Sequence, residues 1–339
     1  MKKLFVLFVA LITLVVVTGC NGNTTTAAPT TAAPTTVAPT TEAPTTVEPR
    51  EFAADGEFTA YLVGVHSNSP MVTTVTVTIE NDEIVGYYID ARQGVDTQTA
   101  GTDTPEDLTD DTWTYVWNAM TKKELGDDYG MVQFGGAIAE WYEQAALIEA
   151  YWLANGYDSV TTNESTVIDN VAGVTIKDGG YTTLAAEAVQ LAKDGKMQAI
   201  LCSADDLYIA TMTVDAEGNF SNLLLDVLQG EPTGGTFAWR AETKQELGYD
   251  YGMKGAGSYV FVDGAWVAGT EPSTLEWFEQ AQLITDYVEA NGWNEDLAAI
   301  AQRGGTIDGT TLLDDLAGVT VRSQSYYDLL ASLFAKIPA

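Results

Sequence analysis

The sequence predicts an α+β protein in which one small domain, an antiparallel sheet with helices, occurs twice in tandem behind an exported leader and a stalk. Three observations predict it. Long segments repeat in the same order about half a chain apart. In each half the strand-like runs precede the helical ones, the order expected of α+β rather than alternating α/β architecture. The chain is 46% hydrophobic, with eight Trp and sixteen Tyr, enough apolar material for ordinary cores.

The elements follow in chain order. Lys2 and Lys3 precede an apolar run from Leu4 to Val17 that is short for a membrane span of ~20 residues and ends in small residues, as export signals do. Val17-Thr18-Gly19-Cys20 resembles the lipobox of bacterial lipoproteins. That resemblance implies a signal peptide over 1–19, cleavage before Cys20, and a diacylglyceryl group on its sulfur, two acyl chains being a stable membrane anchor where one is marginal. Residues 20–50 then form a Thr/Ala/Pro-rich linker, with Pro29, Pro34, Pro39, Pro44 and Pro49 at five-residue intervals. Such a composition buries too little apolar surface to offset its ordering entropy, so a disordered tether is expected.

The repeat occupies the rest, with halves at 51–195 and 196–339. Trp117 to Met131 matches Trp239 to Met253 at eleven of fifteen positions. Glu140-Trp-Tyr-Glu-Gln-Ala matches Glu276-Trp-Phe-Glu-Gln-Ala, and Asp169-Asn-Val-Ala-Gly-Val-Thr175 matches Asp314-Asp-Leu-Ala-Gly-Val-Thr320. Thr73 to Glu80 alternates like a half-buried strand and turns at Asn81-Asp82 into Ile84 to Ile89. In the second half Ile209 to Val214 turns at Glu217-Gly218-Asn219 into Phe220 to Val227. Trp141, Ala145, Ile148 and Trp152 share a helical face, as do Trp277, Ala281, Ile284 and Val288. Ser273 and Glu276 form a capping-box pattern, Asn155-Gly156 and Asn291-Gly292 read as helix ends, and last helices are expected over Thr183 to Lys193 and Tyr327 to Lys336.

Composition excludes several functions. With 15 basic and 48 acidic residues the formal charge is −33, and nucleic acid is not a partner, because phosphate contacts need a basic surface. The single histidine, His66, leaves no His-rich zinc site and makes a histidine-based triad improbable. Once Cys20 is acylated only Cys202 remains, so no intramolecular disulfide can form; Cys202 reads as a small buried residue. Asp215-x-Glu217-Gly-Asn219 holds a fragment of a calcium-loop pattern and reads as a hairpin turn.

The repeated Asp-x-x-Ala-Gly-Val-Thr resembles the flavinylation motif of the FMN-binding domain family, whose usual form is Asp-x-x-Ser/Thr-Gly-Ala-Ser/Thr. The strand-first opening, the Glu-Leu-Gly-x-Asp-Tyr-Gly-Met stretch and the Trp-Tyr/Phe-Glu-Gln helix extend the likeness to its extracellular lipoprotein branch over nearly all of 55–337. The resemblance implies FMN esterified through its phosphate to Thr175 and Thr320 by a flavin transferase, two covalent cofactors per chain. It departs from the family at Ala172 and Ala317 and at Val174 and Val319, while both terminal hydroxyls are kept. Gly173 and Gly318, lacking a Cβ, allow close backbone approach or an unusual turn. Asp169 and Asp314 either orient a metal or the hydroxyl during transfer, or make a turn with nearby backbone. Lys122, Tyr129, Lys244 and Tyr251 are candidates for contact with a flavin, against a turn-and-core role. The implied function is a lipid-anchored redox carrier, more than a turnover enzyme, on the extracellular face of the cell membrane. It would take electrons from a quinone-linked membrane dehydrogenase and pass them to an extracellular acceptor. The competing reading is a surface lipoprotein that binds a ligand or partner without flavin.

Overall fold

A computed structural model describes residues 49–99, 112–262, 265–293, 319, 321 and 324–338. The leader, Cys20, the linker to residue 48, Asp314, Gly318 and Thr320 lie outside the described residues. Residues 49–339 belong to one compact unit.

The first sheet is an antiparallel meander of β1 (Gly56–His66), β2 (Ser69–Glu80), β3 (Glu83–Thr99) and β4 (Thr112–Trp117), in that spatial order. Its register follows the alternation of the sequence: Val75, Val77 and Ile79 of β2 are fully buried, while Thr74, Thr76 and Thr78 between them are only partly covered. Asn81 and Asp82 both take positive φ in the β2–β3 turn, a conformation that short polar side chains tolerate. Three short helices follow in the chain: α1 (Lys122–Leu125), a 3-10 turn over Gly126–Tyr129, and α2 (Met131–Gly135). Two long ones complete this half, α3 (Trp141–Asn155) against β3 and α4 (Tyr181–Asp194) across β1 and β2. α4 approaches closely because the residues it turns inward, Ala185, Ala188 and Ala192, are small and fall on one helical face.

Gly195, at φ +68°, ends α4, and the chain enters the second sheet at β5 (Lys196–Ser203). β6 (Asp206–Val214) and β7 (Phe220–Leu228) complete a three-stranded antiparallel meander. Then come α5 (Lys244–Leu247), a separate hairpin of β8 (Gly257–Val262) and β9 (Ala265–Pro272), α6 (Trp277–Asn291) and α7 (Gln324–Phe334). α6 packs on β7, and α7 on β5 and β6, so each half places its long helices on matching strands. Asp215 receives the amides of Glu217 and Asn219 at 3.0 and 2.8 Å, which accounts for it as a hairpin residue.

The sheets meet through a small apolar core of their own. Val72 packs with Leu207 and Ile209, flanked by Tyr61, Val63, Trp117 and Trp239. The two tryptophans occupy matching repeat positions and donate across the junction in opposite directions. Trp117 Nε1 reaches Asp206 O at 3.1 Å, and Trp239 Nε1 reaches Gly64 O at 2.8 Å. Their rings lie 6.0 Å apart.

Three details differ from the sequence expectations. The cap of α6 is Glu276, whose carboxylate forms the capping box with Glu279; Ser273 instead donates to Leu275 O at 2.7 Å. Gly156 and Gly292 do end α3 and α6 with positive φ, but ψ of 150° and 158° makes them extended exits, not left-handed helical caps. β1, β4 and β5 carry no clean alternation and were not expected; His66, exposed, is the last residue of β1 and comes just before β2.

Candidate functional site

The site is assembled around the first turns of α3. Glu140, at 6% exposure, holds this end of the helix, and its carboxylate accepts the amides of Met131 and Val132 at 2.8 and 2.9 Å. The entry to α2 is thereby fixed to the start of α3. Glu276 does the same in the second half, accepting Met253 N and Lys254 N at 2.8 and 3.1 Å. A buried carboxylate must be hydrogen-bonded to be tolerated, and these two are used to pin a backbone loop.

One turn further along α3 is Gln144, which has no exposed surface. Its Nε2 donates to Ala139 O at 2.9 Å. Its Oε1 accepts both the amide of Thr175, at 2.7 Å, and the Thr175 hydroxyl, at 3.2 Å. One side chain therefore ties the loop before α3 to the last residue of the Asp-x-x-Ala-Gly-Val-Thr segment. Gln280 takes the corresponding place on its helix in the second half, donating to Leu275 O at 3.3 Å and accepting Val321 N, the amide one position after the motif's threonine, at 3.1 Å.

The segment containing Thr175 is irregular, and its bonds show why. Val174 N donates to Val171 O at 3.1 Å, closing a turn in which Gly173 takes φ +85°. A side chain there would be strained by that φ, and its Cβ would sit 3.0 Å from Leu147 Cδ1. Glycine is therefore required by backbone conformation and by the approach of α3. Val171, Val174 and Ile176 enter the core, while Ala172, Gly173 and Thr175 face out. Val174, the larger residue beside the threonine, is 7% exposed and fills the interior, so its extra methyl groups do not crowd the hydroxyl. Val319 is equally buried at 3%.

Asp169 is brought to a different place. Its Oδ1 accepts Thr161 Oγ1 at 2.7 Å, and its own amide donates to Thr161 O at 3.1 Å. These bonds fasten the start of the segment to Thr161, eight residues earlier. Among the described residues no group of His, Cys, Asp and Glu has the arrangement of a metal site. The structure thus joins Gly173 and Thr175 around Gln144 and leaves Asp169 at the far end of the loop. Asp314, Gly318 and Thr320 fall outside the described residues.

Lys122 and Lys244 sit in matched aromatic boxes. Lys122 Nζ lies 4.8 Å from the Tyr129 ring centre and 5.3 Å from that of Trp141; Lys244 Nζ lies 5.0 Å from Tyr251 and 5.5 Å from Trp277. Trp141 Nε1 donates to Tyr181 OH at 3.2 Å and Trp277 Nε1 to Tyr326 OH at 2.8 Å. Burial pushes both tyrosine hydroxyls above their ordinary pKa. These cation–π contacts serve the junction of α1 or α5 with the long helix, a core role for all eight residues.

Sequence reasoning did not single out Gln144. The signal was present: a glutamine three residues after a buried Trp, at 144 and 280, on the buried face of both helices. A polar residue at a core position is the observation that calls for a partner.

No family model and no curated protein matches the chain. It is similar to a Clostridium thermocellum protein solved by solution NMR, with 24% identity over 40% of this chain and 89% of that one, at a TM-score of 0.25. At that score the likeness defines no shared fold. What the fold and site define is an α+β protein of antiparallel sheets with helices packed on them, carrying an exposed threonine held by a buried glutamine.

Proposed function

We propose that this protein is a membrane-anchored extracellular flavoprotein. In this reading two tandem copies of one domain each carry FMN on a threonine, Thr175 and Thr320, and pass electrons from a quinone-linked membrane dehydrogenase to an acceptor outside the cell. The supporting observation is the presentation of Thr175. Thr175 is an exposed residue at the end of a glycine turn, and its amide and Oγ are both held by Gln144. The residues present are compatible with the group: Thr175 supplies a hydroxyl on an exposed residue, and Gly173, two positions before it, adds no side chain. FMN, when bound, supplies the redox chemistry; the chain's own residues orient the hydroxyl and keep the loop fixed.

Attachment forms an Oγ–P bond at Thr175 and breaks the P–O bond to the leaving group of an activated, pyrophosphate-linked flavin nucleotide. The hydroxyl proton leaves to solvent, and no electrons change hands. Among the described residues no helix is long and apolar enough to cross a membrane. In this reading the anchor is the acylated Cys20, on the strength of the lipobox-like Val17-Thr18-Gly19-Cys20.

The test is expression with a flavin transferase, followed by intact mass and in-gel fluorescence after denaturation. Wild type is expected to carry two FMN, Thr175→Val or Thr320→Val one, and the double variant none. Colourless protein of unmodified mass from the native host would sink the proposal.

A further inference from the structure

Where the two sheets meet they leave a cavity of about 170 Å³, partly open to solvent. Its walls come from both halves: Val72, Asp90, Arg92 and Thr121 from the first, Ile200 and Cys202 from the second. An apolar cavity of about 150 Å³ holds benzene, so this one has room for a molecule of about six to eight non-hydrogen atoms. The reading of Thr175 uses none of these groups.

The cavity carries two opposite charges that do not pair with each other. Asp90 and Arg92 are two residues apart on β3, so both side chains leave the same face of the sheet. Asp90 is 9% exposed. Its Oδ1 accepts Ala91 N at 2.8 Å and Lys123 N at 3.2 Å, and its carboxylate also bonds the Thr121 hydroxyl. The Lys123 ammonium is paired with Glu149 instead. Burial raises the Asp90 carboxyl above its ordinary pKa, as for a carboxylate whose desolvation is not fully offset by a cation. Arg92 Nε donates to Asn118 O at 2.9 Å and Nη2 to Ala119 O, and the guanidinium reaches across to the Cys202 thiol. At least two of its five N–H groups stay uncommitted. Among the described residues neither Asp90 nor Arg92 belongs to an ion pair.

The fold does not require the guanidinium. Asp90-Ala-Arg-Gln-Gly94 matches Asp226-Val-Leu-Gln-Gly230. Arg92 pairs with Val72 in its sheet as Leu228 pairs with Leu207 in the other. Asp226 accepts Val227 N and Gln245 N just as Asp90 accepts Ala91 N and Lys123 N. The carboxylate is thus common to both halves and serves the entry to α1 and α5. Leu228 packs against the apolar junction, so leucine satisfies the position that Arg92 occupies. A charge at a sheet junction costs solvation, and Arg92 places one two residues from a carboxylate without pairing the two.

We infer that this cavity is a binding site for a small zwitterion, an α-amino acid with a short apolar side chain. Asp90 and Thr121 receive its ammonium, the uncommitted N–H groups of Arg92 receive its carboxylate, and Val72 and Ile200 receive its side chain. Each charge of the ligand meets a charge that the chain leaves unpaired. A molecule carrying only one of the two leaves the other protein group desolvated without a partner. The site uses neither threonine and stands apart from the flavin reading.

The experiment is calorimetric titration of the full chain with L-valine, and one saturable site per chain is expected. On the same wild-type protein, L-valinamide lacks the carboxylate and 3-methylbutanoate lacks the ammonium. Each should bind at least tenfold more weakly, because a buried charge left without its partner weakens binding by that factor or more. Asp90→Asn keeps an oxygen for both amides, and Arg92→Leu installs the residue found at 228. Each should weaken L-valine at least tenfold while circular dichroism stays that of wild type. Should Arg92→Leu fail to fold, Asp90→Asn and the two analogues decide the matter. Absence of saturable heat with L-valine up to about 10 mM, well above a millimolar dissociation constant, overturns the proposal. So does equal affinity for either analogue, or unchanged affinity in Asp90→Asn.

Discussion

Replacing Gln144 with leucine tests whether the threonine loop is held from the helix. The side chain is fully buried and makes three hydrogen bonds, to Ala139 O, Thr175 N and Thr175 Oγ. Leucine fills nearly the same volume, so the cavity cost is small, and the loss is that of the bonds. A neutral hydrogen bond contributes about 0.5–1.5 kcal/mol net, and a buried group left without a partner costs about 1–3 kcal/mol. Thr175 is exposed and recovers part of its solvation from water, while Ala139 O is half-covered. The expected destabilisation is therefore about 2–3 kcal/mol. Urea unfolding followed by tryptophan fluorescence measures it. Gln190→Leu is the control: Gln190 is an exposed helical glutamine bonded to Asp194 four residues on, and its loss should cost below about 0.5 kcal/mol. Flavin loading at Thr175, read by mass, should fall in Gln144→Leu although the hydroxyl remains. Destabilisation no larger than that of Gln190→Leu, together with full loading, would refute the idea that Gln144 positions the acceptor.

Trp239→Ala should cost about 2–4 kcal/mol, since it removes an indole bonded to Gly64 O and packed against Trp117 and Phe237; calorimetry should then show the halves unfolding in separate transitions where wild type shows one. Burial raises Asp226 above the usual carboxylate range, against hydrogen bonds from the Thr243 side chain and the Gln245 and Val227 amides. A carboxyl whose folded pKa lies above its unfolded value of about 3.9 binds its proton more tightly in the folded state. Its favourable contribution is thus full below that value and is lost as pH rises through the folded pKa. Asp226→Asn, which keeps an oxygen for both amides, should flatten the decline in stability between pH 4 and pH 7, and an unchanged pH profile would contradict the assignment. Cys202 lines a cavity of about 170 Å³ with Asp90, Arg92 and Thr121, and burial pushes its thiol up to about 12. Because the thiolate is the reactive form, an aromatic disulfide reagent at pH 8 should modify it only on unfolding; stoichiometric reaction with folded protein would show the thiol to be open.

Much of the fold was legible because periodicity survives where a face is buried. Val75, Val77 and Ile79 announced β2, and Trp141, Ala145, Ile148 and Trp152 announced the inner face of α3. The strands that escaped notice are those at which two environments compete. β1 is covered along its first half by α4, but from Leu62 to His66 it is half-open and meets the other sheet, so no simple alternation remains. β5 likewise serves its own core through Met197 and Ala199 and the junction through Ile200 and Cys202. The threonine motif was legible as a repeat, and its glycine as a turn. Its support was not, because the residue that holds Thr175 is thirty-one positions earlier in the chain. Val174 shows the converse: a bulky residue next to the threonine is accommodated because its side chain faces the core.

The polar residues that both halves bury are informative as a set. Glu140 and Glu276 each spend a carboxylate on two loop amides, and Gln144 and Gln280 each spend an amide on two segments distant in sequence. Apolar residues at these positions would leave the bonded backbone groups without partners, so these side chains contribute both to stability and to fixing one backbone arrangement. In each half they fix the entry to the long helix and one backbone amide at the end of the repeated motif, Thr175 N in the first and Val321 N in the second. What they leave free is the spacer between them, eight residues in one half and twenty-two in the other. A fixed frame with a variable loop is the common arrangement by which related segments keep their packing while their surface differs. It follows that the two halves keep one way of supporting the start of the long helix and differ in the length of the loop that leads to it.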